Sequence, residues 1–297
     1  MGKALKRKGT VAGAALGLAA AVAGLPFAFG ASRSGAVTPD SGRALIGEAR
    51  QGSLTVPIAP AFTVAVTEAK APGRPIIVID PGHGGRDPGA PSVSGEIVEK
   101  DLTLALARAL RARLAERGRV RVALTRDDDR YLSLEQRAGI ARHLGASLFV
   151  SLHMDSAPNP LARGATVYSL SDVASDAEAA RFADAENRSG GALLAADGSV
   201  EAMLSDLALR SQMNASAELA ARLVRKAGGR VALRPEPHRF ATFHVLRRAG
   251  VPAVLFEAGY VSNVDDELLL RSPEHRAALV AALADTIETD VAARARR

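Results

Sequence analysis

Residues 76–79 read Ile-Ile-Val-Ile, apolar and β-branched throughout, with no polar residue to turn toward water on either side. A strand with one wet face alternates, whereas an unbroken apolar run marks a strand covered on both faces, as in sheets packed between two layers of helices. Two further runs, Leu148-Phe149-Val150 and Val254-Leu255-Phe256, have the same character. All three lead into reactive side chains: Asp80-Pro81-Gly82-His83-Gly84-Gly85, Ser151-Leu152-His153 and Glu257-Ala258-Gly259. In open α/β sheets, ligands bind in the crevice beyond the carboxyl ends of the strands. The ends of these runs are therefore where chemistry is expected.

Between the runs the apolar spacing becomes helical. Leu102, Ala105, Leu106, Ala109, Leu110 and Leu114 recur on one face over 100–117, and Gly118 stops the pattern. Ser133-Leu134-Glu135-Gln136 reads as a capping box opening a helix to His143, and Ser272-Pro273 starts a final helix with Pro in its first turn. Strands are expected at 121–125, 148–152, 165–170, 243–246 and 254–256, and a further helix at 214–226. Alternating strands and helices predict an α/β fold with a single mixed, mostly parallel sheet flanked by helices on both faces.

Residues 1–30 read as a secretory signal rather than fold. Lys3, Lys6, Arg7 and Lys8 form a basic start, residues 11–25 are rich in Ala, Gly and Leu, and Ala28-Phe29-Gly30 offers a small-x-small cleavage point. The apolar stretch is shorter than the ~20 residues of a membrane span, and retention as an anchor is the alternative. Export to the periplasm or cell envelope follows. Residues 31–73, punctuated by Pro39, Pro57, Pro60 and Pro72, read as a linker with one short strand at 62–67. The domain proper is 74–297.

Composition excludes several functions. The net charge of +6 falls to about +2 once the four positive residues of 1–30 are removed, and Trp is absent. That is neither the electrostatic footprint nor the stacking surface of a nucleic-acid binder. Cys is also absent, so no thiolate metal site or disulfide framework is available.

Two histidines and a carboxylate at such strand ends would form a His₂Glu set, which leaves one position of Zn²⁺ open to water. Residues 96–101, Glu-Ile-Val-Glu-Lys-Asp, offer two carboxylates for that set. A further glutamate, Glu257, is placed to take a proton from the water. An ionised carboxylate after Val-Leu-Phe needs a partner, because desolvation is costly. The residues thus point to a zinc hydrolase.

Residues 77–90 (Ile-Val-Ile-Asp-Pro-Gly-His-Gly-Gly-Arg-Asp-Pro-Gly-Ala), Glu-Lys-Asp at 99–101, Ser-Leu-His at 151–153 and Phe-Glu-Ala-Gly-Tyr-Val-Ser-Asn at 256–263 resemble the zinc-dependent N-acetylmuramoyl-L-alanine amidases of cell separation and spore lysis. The resemblance implies zinc ligands at His83, Glu99 and His153, a catalytic glutamate at Glu257, and one Zn²⁺ per chain. It favours Glu99 over Glu96. It implies peptidoglycan as substrate, with hydrolysis of the amide between N-acetylmuramic acid and L-alanine. One departure is Asp155, where some relatives have Asn. One alternative is a wall-binding or regulatory module that has lost turnover, whose signature would be a missing ligand or glutamate; the other is a zinc hydrolase of another amide, because the motifs define the metal site better than the substrate pocket.

Other polar features have plainer readings. Asp80 is a candidate to fix an imidazole tautomer, or a strand-end turn residue. Arg126 and Arg137 are expected to make ion pairs. Asp127-Asp128-Asp129 lacks the glycine and spacing of a Ca²⁺ loop and reads as a solvated turn. His238 is a candidate to line the cleft, and His143 and His275 fall on helix faces. Residues 171–213 form a polar insertion with a helix at 174–187 in which Phe182 is the one large apolar residue, so weak docking is expected. In the amidases this chain resembles, an insertion here covers the zinc until an activator of the LytM type displaces it. Self-inhibition by a carboxylate such as Glu186 or Glu178 is the corresponding expectation.

Overall fold

The computed structural model describes residues 64–188 and 200–296. The expected signal segment, most of the expected linker and part of the insertion lie outside them. The elements in order are β1 (Val66–Thr67), β2 (Ile76–Pro81), α1 (Glu99–Arg117), β3 (Arg121–Leu124), α2 (Leu134–His143), β4 (Leu148–Asp155), β5 (Ala165–Leu170), α3 (Ala177–Arg188), α4 (Val200–Ala227), β6 (Leu233–Ala241), α5 (His244–Arg248), β7 (Ala253–Tyr260), α6 (Val264–Arg271) and α7 (Pro273–Arg294). The strands form one sheet in the order β1-β3-β2-β4-β7-β5-β6. β1–β3 and β7–β5 are antiparallel and the other four pairings parallel. The sheet is mixed and mostly parallel, as expected.

β2, β4 and β7 are buried along their whole length, which explains their unbroken apolar runs. Alternate residues feed two cores. On one face Ile77, Ile79, Val150, Leu152, Val254 and Phe256 pack with Leu106, Leu110 and Leu114 of α1, Leu219 and Leu223 of α4, and Leu283 and Ile287 of α7. On the other, Val78, Phe149, Leu255 and Tyr168 pack with Ile140 of α2, Ala179 and Ala183 of α3, and Val245 and Leu246 of α5.

The predicted punctuation holds at several points. Gly118 adopts φ 68° and its N–H bonds Leu114, closing α1 in the left-handed conformation that glycine tolerates best. Ser133 and Gln136 make the reciprocal capping box of α2, and Ser272 caps α7 ahead of Pro273. Two expectations need correction. Residues 243–246 are not a strand: the chain leaves β6 at Ala241 and turns into α5, with Phe243, Val245 and Leu246 buried in the second core. The true strand, β6, carries Pro235 and Pro237 and lies at the sheet edge, where missing N–H donors are tolerated. The helix expected at 214–226 begins at Val200.

Candidate metal centre

The site assembles where β2, β4 and β7 end side by side. His153 on β4 is in register with Glu257 on β7, so both side chains leave the sheet on one face. Gly82, just past β2, donates its N–H to the Leu152 carbonyl at 3.0 Å, carrying the 82–85 turn alongside β4. Glu99, the first residue of α1, reaches the same place from the helix above. There its two oxygens accept the N–H groups of Met154 at 2.9 Å and Ala90 at 2.7 Å.

Side chains converge closely. Nε2 of His83 lies 3.0 Å and Nδ1 of His153 3.3 Å from Oε1 of Glu99. The rings stand edge to face with centroids 4.8 Å apart. Neither nitrogen is aligned on a hydrogen-bond partner, although both are fully buried. Leaving such a group unsatisfied normally costs about 1–3 kcal/mol, so the pair marks a place shaped for something that accepts lone pairs. Asp87 fixes which nitrogen of His83 faces the cluster: its carboxylate takes Nδ1 at 3.0 Å, which turns Nε2 toward Glu99.

The electrostatics follow from burial and proximity. Burial alone would raise the Glu99 carboxyl, yet the neighbouring imidazoles outweigh it and hold the group below the usual carboxylate range. Burial would lower the His83 imidazole, but Glu99 and Asp87 push it up to about 11. Glu257 behaves oppositely. It is fully buried, neither oxygen has a hydrogen-bond partner, and burial with the nearby carboxylates Asp155, Glu99 and Glu186 drives it well above its ordinary value.

His83 has φ 58°, a left-handed conformation unfavourable for a side-chain-bearing residue. Two buried arginines hold it there. Arg137 donates to the carbonyls of His83 at 2.6 Å and Pro81 at 2.7 Å, while Arg126 donates to Pro81, Gly82, Asp128 and Lys100. Two readings are corrected here. Among the described residues Arg126 makes no ion pair; it bonds four carbonyls and the Thr103 hydroxyl, and burial followed by repulsion from Arg137 lowers it to about 10. Asp80 does not orient an imidazole. It accepts from Arg137, Thr125 and Ser151, so it anchors the arginine that holds the turn.

Glycine is required at two positions. A Cβ on Gly82 would sit 2.4 Å from Nε2 of His153, and one on Gly89, at φ +75°, would sit 2.4 Å from Oε2 of Glu99.

Helix α3 of the insertion places a carboxylate over this cluster. Oε2 of Glu186, on α3, is 3.5 Å from Nδ1 of His153 and 3.9 Å from Nε2 of His83, and these three groups converge as metal donors would. Glu178 lies elsewhere, in a two-point pair with Arg234 at 2.7 and 2.9 Å. Docking of α3 is firmer than its sequence suggested. Phe182 packs between Tyr168 and Phe243 with centroids 5.3 and 5.7 Å away. Asn187 donates to the Thr242 carbonyl at 2.7 Å and accepts the His244 N–H at 2.8 Å.

The remaining candidates sit apart. Glu96 is exposed and pairs with Arg271 at 2.9 Å. His238 bonds the Ser169 hydroxyl at 2.9 Å, near the sheet edge. The 127–129 aspartates pair with Arg108, Arg111, Arg130 and Lys100, and Asp129 also accepts the Gly85 N–H at 2.8 Å. Asp129 thus braces the histidine turn, while Asp127 and Asp128 stay at the surface. Among the described residues, no helix is long and apolar enough to cross a membrane.

Fold and site together define an α/β protein with a cluster of metal-type donors at the carboxyl ends of its central strands. Comparison with known proteins narrows that class. The family described as N-acetylmuramoyl-L-alanine amidase matches residues 77–289, and the chain belongs to it. Among its relatives, N-acetylmuramoyl-L-alanine amidase AmiA of Escherichia coli is 34% identical over 73% of this chain and 76% of its own length. The probable amidase AmiB of Haemophilus influenzae is 36% identical over 67% of this chain, but that match spans only 48% of the relative. In structure, the amidase AmiC2 of Nostoc punctiforme superposes with a TM-score of 0.51 at 27% identity, covering 76% of this chain and 99% of that one.

Proposed function

We propose that this protein is a zinc-dependent peptidoglycan amidase that cleaves the amide between N-acetylmuramic acid and the L-alanine of the stem peptide. The observation that carries the reading is the convergence of His83 Nε2, His153 Nδ1 and Glu99 Oε1 beside the unpartnered carboxylate of Glu257. Donors at 2.0–2.2 Å from a tetrahedral Zn²⁺ stand about 3.3–3.6 Å from one another. The separations here are 3.0 and 3.3 Å to Glu99, and 3.5 and 3.9 Å to Glu186. Two of these fall in that range and two lie within about 0.3 Å of it, so small side-chain shifts fit the donors to the ion. His83, His153 and Glu99 would hold it, and a bound Zn²⁺ would acidify a water and polarise the scissile carbonyl.

The chain's own residues supply the rest. Asp87 keeps the proton on Nδ1 of His83, and the backbone N–H groups of Ala90 and Met154 keep the Glu99 carboxylate in place. Among the described residues Glu257 has no hydrogen-bond partner, so its carboxylate can take a proton from the attacking water and return it to the leaving nitrogen of L-alanine.

The same geometry supports a regulatory reading. Glu186 occupies the corner where water would bind, so residues 171–213 act as a plug, and α3 must lift before substrate enters. An activator of the LytM type, acting on this exported enzyme in the cell envelope, would supply that displacement. The test of the chemistry is Glu257→Gln, which keeps the shape and removes the base. Turnover on purified sacculi should fall by a factor on the order of 10²–10⁴ while zinc content stays at the wild-type level. Retained activity, or loss of zinc, refutes the role given to Glu257.

A further inference from the structure

The edge strand β6 carries two arginines paired to carboxylates of the segment that covers the site. Arg234 makes its two-point contact with Glu178 and also donates to the Tyr260 hydroxyl. Arg239, 5% exposed, donates to Asp176 and to the Tyr168 hydroxyl at 3.3 Å, and stands 3.6 Å from Glu178. Both tyrosines are fully buried in the sheet, so the arginine forks are oriented by the scaffold, while Glu178 comes with α3 and Asp176 with its leading turn. If α3 lifts, the oriented and partly buried Arg234 guanidinium loses the carboxylate that it pairs with, while Asp176 beside Arg239 follows Ser175, which is bonded to Phe240 of β6. Such a state is costly unless another carboxylate takes the place, and a fixed fork is the group that binds a carboxylate through two parallel bonds.

The spacing suits the substrate. Glu186 and Glu178 are eight residues apart on α3, about 12 Å at 1.5 Å per residue. Counting strands agrees, since Arg234 on β6 lies two strands from Glu257 on β7, roughly 10 Å. An extended peptide covers that distance in about three residues at ~3.3–3.6 Å each. We propose that Arg234, oriented by Tyr260 and seconded by Arg239, is the subsite for a carboxylate on the second or third residue of the stem peptide, and that Glu178 mimics this group while α3 is docked. This rests on the amidase reading and on displacement of α3.

The test compares full-length, zinc-loaded Glu178→Gln with Glu178→Gln/Arg234→Gln on synthetic N-acetylmuramoyl tripeptides. One arm carries a free or amidated carboxylate on the second residue, the other a third residue with or without a carboxylate. The single variant should favour the free acid in one arm at least tenfold in kcat/KM, chiefly through KM, and the double variant should lose the preference. Arg234→Lys in the same background, which keeps the charge without the fork, should fall between them. Equal preference in both variants, or none in either while peptide is released, overturns the subsite; a mere latch would speed all substrates alike. If peptide is released by none of these proteins, nor by a Phe182→Ala variant in which hydrogen exchange shows α3 undocked, the amidase reading fails separately. Calorimetry with the free tripeptide then still decides the subsite: tighter binding by the single variant supports it, and equal binding overturns it.

Discussion

Replacing Phe182 by Ala isolates the docking of α3 from the chemistry beneath it. The ring lies between Tyr168 and Phe243 with centroids 5.3 and 5.7 Å away, and aromatic pairs of this kind contribute about 0.5–1.5 kcal/mol each beyond their burial. Losing both should weaken docking by about 1–3 kcal/mol, and more if the half-buried ring also forfeits apolar contact. At 1.4 kcal/mol per decade, the undocked fraction should rise roughly 5- to 150-fold. Because Glu186 travels with α3, basal release of peptide from purified sacculi should rise in proportion until the undocked state predominates. The main unfolding transition should move little, since Phe182 lies outside the central strands. Hydrogen exchange across 177–188 reports the docking and dye release from labelled sacculi the activity. If exchange accelerates by an order of magnitude while hydrolysis stays at the wild-type rate, α3 does not gate the site.

Three further outcomes follow from the same geometry. His83→Ala, Glu99→Ala and His153→Ala should each lose zinc and activity together, because each removes one of three ligands; near-stoichiometric zinc by elemental analysis in all three would refute the assignment. Replacing residues 172–211 with a short Gly/Ser linker should raise basal hydrolysis well above wild type, and a folded, zinc-loaded but no faster protein would show that the insertion is not a plug. Asp80→Asn leaves Arg137 buried without its counter-charge, which should cost about 3–5 kcal/mol by thermal or urea unfolding. Burial raises the Asp80 carboxyl but Arg137 and its hydrogen bonds lower it further. Its stabilisation should therefore be full above about pH 4 and fade as pH falls below that; a variant as stable as wild type at pH 7 would contradict this.

The strand-end residues were legible because two constraints coincide there. Unbroken apolar runs identified β2, β4 and β7, and parallel neighbours of one sheet bring their carboxyl ends together. What periodicity could not show was side-chain partnership. Asp87 was missed although it lies four residues after His83, since nothing in a Gly-rich turn reveals which carboxylate folds back on an imidazole. Arg126 was expected to pair with an acid by its match to the resembled family, whereas it is satisfied by carbonyls of three segments, at Pro81 and Gly82, Lys100 and Asp128. The 243–246 error came from an apolar stretch too short to separate strand from helix, next to a strand disguised by Pro235 and Pro237. In the early part of α4 the sequence offers only a short apolar face at Met203, Leu204 and Leu207, and Asp206, Leu207, Ala208 and Arg210 face solvent, too little to mark a continuous helix. Docking of α3 was underestimated for a related reason. Its one large ring meets Tyr168 and Phe243 from distant sequence, and its polar residues find partners on β6 and α5.

The bond that is cut tests the account most directly. Intact peptidoglycan incubated with the zinc-loaded protein, with the released fragments weighed by mass spectrometry, should yield whole stem peptides with a free L-alanine amino terminus and uncut glycan strands. Shortened peptides or cleaved glycans would contradict it.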